Sequence, residues 1–311
     1  MRQIVLAVTL ALAASLAAPA AEPQGPAPGQ IRPRPAEGRA PEFPAPSIVD
    51  YEPRSTLVVA AHEVPRAKFP VVDIHSHHPV PMTPDYFARV VASMDPLNLQ
   101  LLVNLSGGSG DRLRRGLEAI QNSPHPDRMV LFANVEFRDV GPGFGARAAR
   151  QLEADIEAGA VGLKIFKTLG LDARRADGTR LKVDDAELDP IWETCARLDV
   201  SVLIHTADPS EFFQPLDLEN ERWLELALFR DRRFFDRSRF PAFEELMGER
   251  DRMFAKHRGT RFIVAHMGWH AQDLGRLGAM LIGLPDQVLR KLYYGNALKV
   301  APGLPRGGLP G

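Results

Sequence analysis

The sequence predicts an α/β fold of about six parallel strands alternating with helices. Three observations carry that prediction. Short apolar runs recur along the chain, each followed by a helix-length stretch with apolar residues at helical spacing, the pattern of βα units on a parallel sheet. The runs are almost continuously apolar, as in strands covered on both faces. Histidines sit at the ends of three of them: His75 and His77 on the first, His205 on the fifth and His266 on the sixth.

The first core strand is Val71-Val72-Asp73-Ile74-His75-Ser76-His77-His78. Residues two apart on a strand share a face, so Asp73, His75 and His77 are expected together and His78 opposite. Residues 83–93 read as a helix, with Thr83 as N-cap and Pro84 at the first helical position. Residues 99–105 form a strand, ended by Ser106-Gly107-Gly108-Ser109-Gly110, and residues 111–121 a helix. A strand over 129–137 precedes a helix over 144–158, closed by Gly159. A strand over 160–166, a helix over 184–198 and a strand over 200–205 follow, then a long insertion to about Pro241. Within that insertion Trp223, Phe229, Phe234 and Phe235 either cap the strand ends or fold the insertion onto the domain. A helix over 242–256 and a strand over 261–266 complete the alternation. No Gly-x-Gly-x-x-Gly turn follows the first strand, so a dinucleotide fold is poorly supported.

Composition narrows the function classes. The chain has 311 residues, 45% apolar and 25% charged, which is the make-up of a soluble globular protein. A formal net charge of -1, with no basic run, argues against nucleic acid and against an anionic membrane as partners. Residues 1–21 read as a signal peptide: Arg2, an apolar core over 4–16, and Ala18-Pro19-Ala20 as the cleavage site. The apolar core falls short of the roughly 20 residues of a spanning helix. The expected address is therefore periplasmic or secreted, with no membrane association after signal removal. Residues 22–47 read as a Pro-rich linker, 48–300 as the folded domain, with an extra short strand over 56–60, and 301–311 as a flexible tail. Cys195 is the only cysteine, so there is no disulfide framework, and its helical pattern makes it a buried filler.

In a parallel α/β barrel the carboxyl ends of the strands converge on one mouth, where barrel active sites lie. Four histidines at the ends of strands one, five and six would meet there, and neutral imidazole is the commonest protein metal ligand. Lys164 on the fourth strand, or Lys167 just past it, reads either as a rim lysine or as a cation holding a substrate carboxylate.

These residues resemble the amidohydrolase superfamily, in particular its amidohydrolase-related branch of metal-dependent hydrolases and non-oxidative decarboxylases. The resemblance rests on Asp73-Ile74-His75-Ser76-His77, on His205, on Ala265-His266-Met267-Gly268 and on the closing helix over 289–297, and it spans about residues 68–300. It implies that His75, His77 and His205 bind a divalent metal, zinc first among candidates. His266 would then orient the attacking water or the substrate, and the partner would be a small molecule. The family's barrel ends with strands seven and eight, and an Asp on the eighth completes the metal site as general base. Here a helix over 272–281 is followed by Ile282-Gly283-Leu284 and then the closing helix. A βα unit needs roughly 30 residues, so two strands cannot fit. The expectation is an incomplete TIM-type (β/α) barrel of about six parallel strands plus a C-terminal helix. An opened barrel leaves sheet edges that invite pairing, so a homo-oligomer stays open. Three functional readings follow: a metal-dependent hydrolase impaired by the missing strands, a carboxy-lyase of the same family, or a catalytically inactive relative. A periplasmic solute-binding protein would share the export signal but leaves the strand-end histidines unexplained.

Overall fold

The computed structural model describes residues 65–266 and 285–310. The expected signal peptide, the linker, the strand over 56–60, the helix over 272–281 and the junction at 282–284 lie outside these residues.

The strands are β1 (Val71–Ser76), β2 (Leu99–Asn104), β3 (Met129–Leu131), β4 (Ala133–Asn134), β5 (Gly162–Ile165), β6 (Ser201–Ile204) and β7 (Phe262–Val264). All pairings are parallel, in two sheets ordered β1-β2-β3 and β4-β5-β6-β7. The two sheets are one curved layer interrupted at Phe132. Phe132 N donates to Asn104 O at 3.0 Å, Val161 N to Leu131 O at 3.0 Å and Asn134 N to Gly108 O at 2.8 Å, so hydrogen bonds cross the break. β3 and β4 together are the predicted third strand, which leaves six strand positions in chain order among the described residues. This is an incomplete TIM-type barrel with a C-terminal helical run.

Local sequence explains the interruption. The Phe132 ring is buried against Gly162, where an added Cβ would stand 2.5 Å from the ring. Only glycine at 162 lets that ring fill the interior at the fourth strand.

The helices pack outside the strands through single apolar stripes. Helix α1 (Pro84–Met94) starts at Thr83, whose hydroxyl accepts from Tyr86 N, and buries Phe87, Val91 and Met94. Helix α2 (Gly110–Gln121) buries Leu113, Gly116 and Ile120, and α3 (Phe144–Glu157) buries Phe144, Ala149 and Leu152. A short α4 (Thr168–Leu171) follows β5; α5 (Asp189–Arg197) is shorter than predicted because residues 186–188 form a 3₁₀ turn capped by Asp185. The insertion carries α6 (Trp223–Leu228), and α7 (Phe243–Lys256) precedes β7. Phe234 is buried against Phe212, Phe213 and Phe240 within the insertion, and Phe213 packs on Phe243 of α7 with ring centroids 5.6 Å apart, so this aromatic cluster ties the insertion to the domain, while Phe235 is exposed. No helix among the described residues is long and apolar enough to cross a membrane.

Two cores result. The outer one lies between strands and helices. The inner one gathers Val72, Leu101, Val103, Phe132, Leu203 and Ala265 with Tyr294, Ala297, Ala301 and Leu304 from the C-terminal residues. Residues 301–310 thus carry Ala301 and Leu304 buried inside the curved sheet, and Ser201 Oγ donates to Val300 O.

Candidate active site

Three strand ends and a sheet position supply the site. Lys164 of β5 is paired with Leu203 of β6, so it shares the inner face with Leu203. His205 follows β6, and its N–H continues the ladder by donating to Ile165 O at 3.0 Å; two residues beyond Leu203, it too faces inward.

The other histidines reach the site through breaks in strand alternation. Val72 pairs with Leu101 on the inner face, so plain alternation would send His75 outward. The β1–β2 pairing is irregular between Asp73 and Ser76, a bulge that re-aims the end of β1. Asp73 does not join the histidines as parity suggests: its Oδ1 accepts from His75 N at 2.8 Å. β7 ends at Val264, and His266 has φ 55°, in the left-handed region that non-glycine residues rarely occupy.

The four rings come together as predicted. Ring centroids are 5.4 Å apart for His75 and His77, 5.0 Å for His75 and His266, and 4.7 Å for His205 and His266. Two imidazoles bound to one zinc ion at about 2.0–2.1 Å in tetrahedral geometry have centroids about 5 Å apart. His77 Nδ1 is hydrogen-bonded to Ser106 Oγ at 2.8 Å, which fixes its ring from behind. His78 faces elsewhere, toward Tyr86 Oη at 3.1 Å.

Electrostatics keeps the rings neutral. Burial, then the charge of Lys164, then the neighbouring rings hold His75 down to about 3. Burial and Lys164 likewise hold His77 to about 4. Burial brings His205 to about 4, against the opposing pull of Asp208, and lowers His266 as well. Neutral imidazole is the ligating form. Lys164 is 1% exposed, and burial lowers its ammonium to about 7. Among the described residues its Nζ makes no hydrogen bond; it stands 5.4 Å from the Phe166 ring centroid, and that ring lies 5.8 Å from His77.

The donor set suits a divalent transition metal in kind, in protonation and in ring spacing. Among the described residues no three His, Cys, Asp or Glu side chains already form a closed ligand cluster. Two further charges belong to the site. Asp208 is buried, with Oδ2 2.5 Å from Lys167 Nζ and Oδ1 3.8 Å from His205 Nε2. Lys167 is a candidate from the sequence, whereas Asp208 leaves only a faint signal there, an acid three residues past a strand-end histidine in Ala207-Asp208-Pro209.

The amidohydrolase family model matches residues 123–281, just over half of the chain. The chain belongs to the amidohydrolase family. No curated protein matches it. Among solved structures it is similar to a 2,6-dihydroxybenzoate decarboxylase complexed with 2,6-dihydroxybenzoate, at 19% identity over 70% of this chain and 74% of that one, with a TM-score of 0.38. It is similar to 4-oxalomesaconate hydratase from Rhodopseudomonas palustris, at 14% identity over 75% of this chain and 96% of that one, with a TM-score of 0.41. A 5-carboxyvanillate decarboxylase from Novosphingobium aromaticivorans, with bound manganese, is 22% identical over 62% of this chain and 53% of that one, with a TM-score of 0.36. Likenesses at this level add nothing to the family match.

Proposed function

We propose that this amidohydrolase-family chain is a metal-dependent hydrolase acting on a small carbonyl or carboxylate substrate. The observation that carries the reading is the gathering of four neutral imidazoles from three strand ends around a buried lysine amine. His75, His77 and His205 would hold the ion, zinc first among candidates. When bound, it would act as a Lewis acid on a carbonyl or carboxylate oxygen. Lys164 would bind the substrate's carboxylate, since a desolvated amine without a hydrogen-bond partner is stabilised by an anion. His266, exposed beside His75 and His205, would pass a proton at the mouth.

The same buried lysine favours a second reading, a non-oxidative carboxy-lyase, because it selects acids as substrates. In either reading turnover is slow. Asp73 and Asp208 are engaged with a backbone amide and an ammonium, and no strand-eight Asp follows His266 in the sequence. A general base is worth roughly 10²–10⁴-fold. The signal-like residues 1–21 support a periplasmic or secreted address.

The test is metal content and turnover on the purified chain. Roughly one divalent ion per chain is expected, with hydrolysis of small esters or amides, or carbon dioxide release from hydroxyaromatic acids, deciding between the readings. His205→Ala should lose ion and turnover together. A His205→Ala chain that keeps both would refute the site.

A further inference from the structure

A carboxylate stands behind one of the proposed ligands. Asp208 lies three residues past His205, and its side chain is 6% exposed. The backbone is bent to place it there: Ala207, fully buried, has φ 62°. For an alanine that left-handed conformation costs roughly 1–2 kcal/mol, and such outliers cluster where a site over-determines the chain. Each carboxylate oxygen has its own neighbour. Oδ2 accepts from the Lys167 ammonium at 2.5 Å; Oδ1 faces Nε2 of the neutral His205 ring at 3.8 Å.

We infer that Asp208 is a positioning residue, which holds the neutral His205 ring with its proton on Nε2 and leaves Nδ1 for a cation. Lys167 is the counter-charge that lets a buried carboxylate serve in this way. Metal-ligating imidazoles are commonly oriented by a carboxylate that accepts from their second nitrogen, and removing such a partner typically costs 10–100-fold in metal affinity. The inference rests on the reading of the histidines as a metal site.

The experiment uses the full chain, stripped with a chelator and titrated with Zn²⁺ against a chromophoric competitor. Wild type, Asp208→Asn and His205→Ala are compared, with thermal unfolding of the stripped proteins as a check on folding. Nitrogen-15 spectra of the wild-type histidine rings give the tautomer directly, whether or not the variants fold. The expected result is an Nε2–H tautomer at His205, Asp208→Asn weaker by 10–100-fold, and His205→Ala weaker still. Wild-type affinity in Asp208→Asn with binding lost in His205→Ala would overturn the positioning role and leave the metal site standing. An Nδ1–H tautomer would overturn it too, as would an Asp208→Asn loss equal to that of His205→Ala, which would mark a direct ligand. Unchanged affinity in His205→Ala would remove the metal site and the inference with it.

Discussion

The histidine cluster should make the metal-stripped protein sensitive to mild acid, and by a calculable amount. In the unfolded chain a histidine binds its proton at about 6.5. In the fold burial and then the charge of Lys164 lower His75 to about 3, and burial, against the opposing pull of Asp208, lowers His205 to about 4. A histidine with a depressed folded value contributes stability that is complete above the unfolded value and drains away as pH falls below it, because the unfolded chain takes up protons the fold refuses. At pH 5 each of these two groups should cost about 2 kcal/mol relative to pH 8. His77 and His266 are only partly shielded and stand at the mouth, more open to water, so their screened contributions are left out of the sum. Asp208 is also lowered, burial being outweighed by His205 and Lys167, but a lowered carboxylate loses its contribution only at pH below this window. Urea unfolding at the two pH values, on wild type and His205→Gln, isolates the His205 share. Wild type should lose more than the variant, by about 2 kcal/mol. Parallel losses would mean that His205 is not held neutral by its surroundings, and the electrostatic account of the cluster would fail.

Three substitutions probe the remaining structure. Lys164→Met should raise the thermal midpoint at pH 7, since it replaces a fully buried amine that has no hydrogen bond among the described residues and whose desolvation is worth about 1–3 kcal/mol, while weakening carboxylate inhibitors; a lower midpoint would mean that the amine has a partner in the fold. Glu249 is fully buried, accepts from Val183 N at 3.0 Å and pairs with Arg180 at 2.6 Å, so Glu249→Ala should cost about 3–5 kcal/mol in chemical denaturation, and a cost under 1 would show the network to be dispensable. Gly162→Ala drives a Cβ to 2.5 Å from the Phe132 ring and should cost about 1–3 kcal/mol, partly recovered by Phe132→Leu in the same chain; strict additivity of the two changes would deny the contact.

Much of this was legible from residue pattern. The βα alternation, the strand positions and the gathering of His75, His77, His205 and His266 follow from apolar runs ending in histidine. The reason three of them arrive is not legible there. Parity on β1 put Asp73, His75 and His77 on one face, whereas a bulge between Asp73 and Ser76 re-aims the strand end and turns Asp73 onto its own backbone. The apolar pattern runs the sixth strand as far as His266, yet β7 stops at Val264 and a left-handed turn brings the ring in. Period-2 reasoning fails at strand ends because functional sites sit where the regular backbone is broken. Asp208 was missed for the same reason. Its place depends on the φ of Ala207, and nothing in the residue type of an alanine announces a positive value.

The C-terminal residues bear on whether such a site can be held at all. Four strand-end rings keep their spacing only if the strands behind them are braced from inside the curve. A complete barrel braces itself, since its inward side chains pack against those of the opposite strands. Here the inner face of six strand positions meets Tyr294, Ala297, Ala301 and Leu304 instead, and Ser201 at the start of β6 bonds to the carbonyl of Val300. Gly303 lies close to Val161 at the start of β5, and Gly308 close to Gln100 at the start of β2. The chain end therefore crosses the foot of the strands whose other ends carry Lys164, His205 and the Ser106 that fixes His77. Apolar burial at one end of the sheet and imidazole spacing at the other are two consequences of the same curvature, and a loss of the first should be felt in the second.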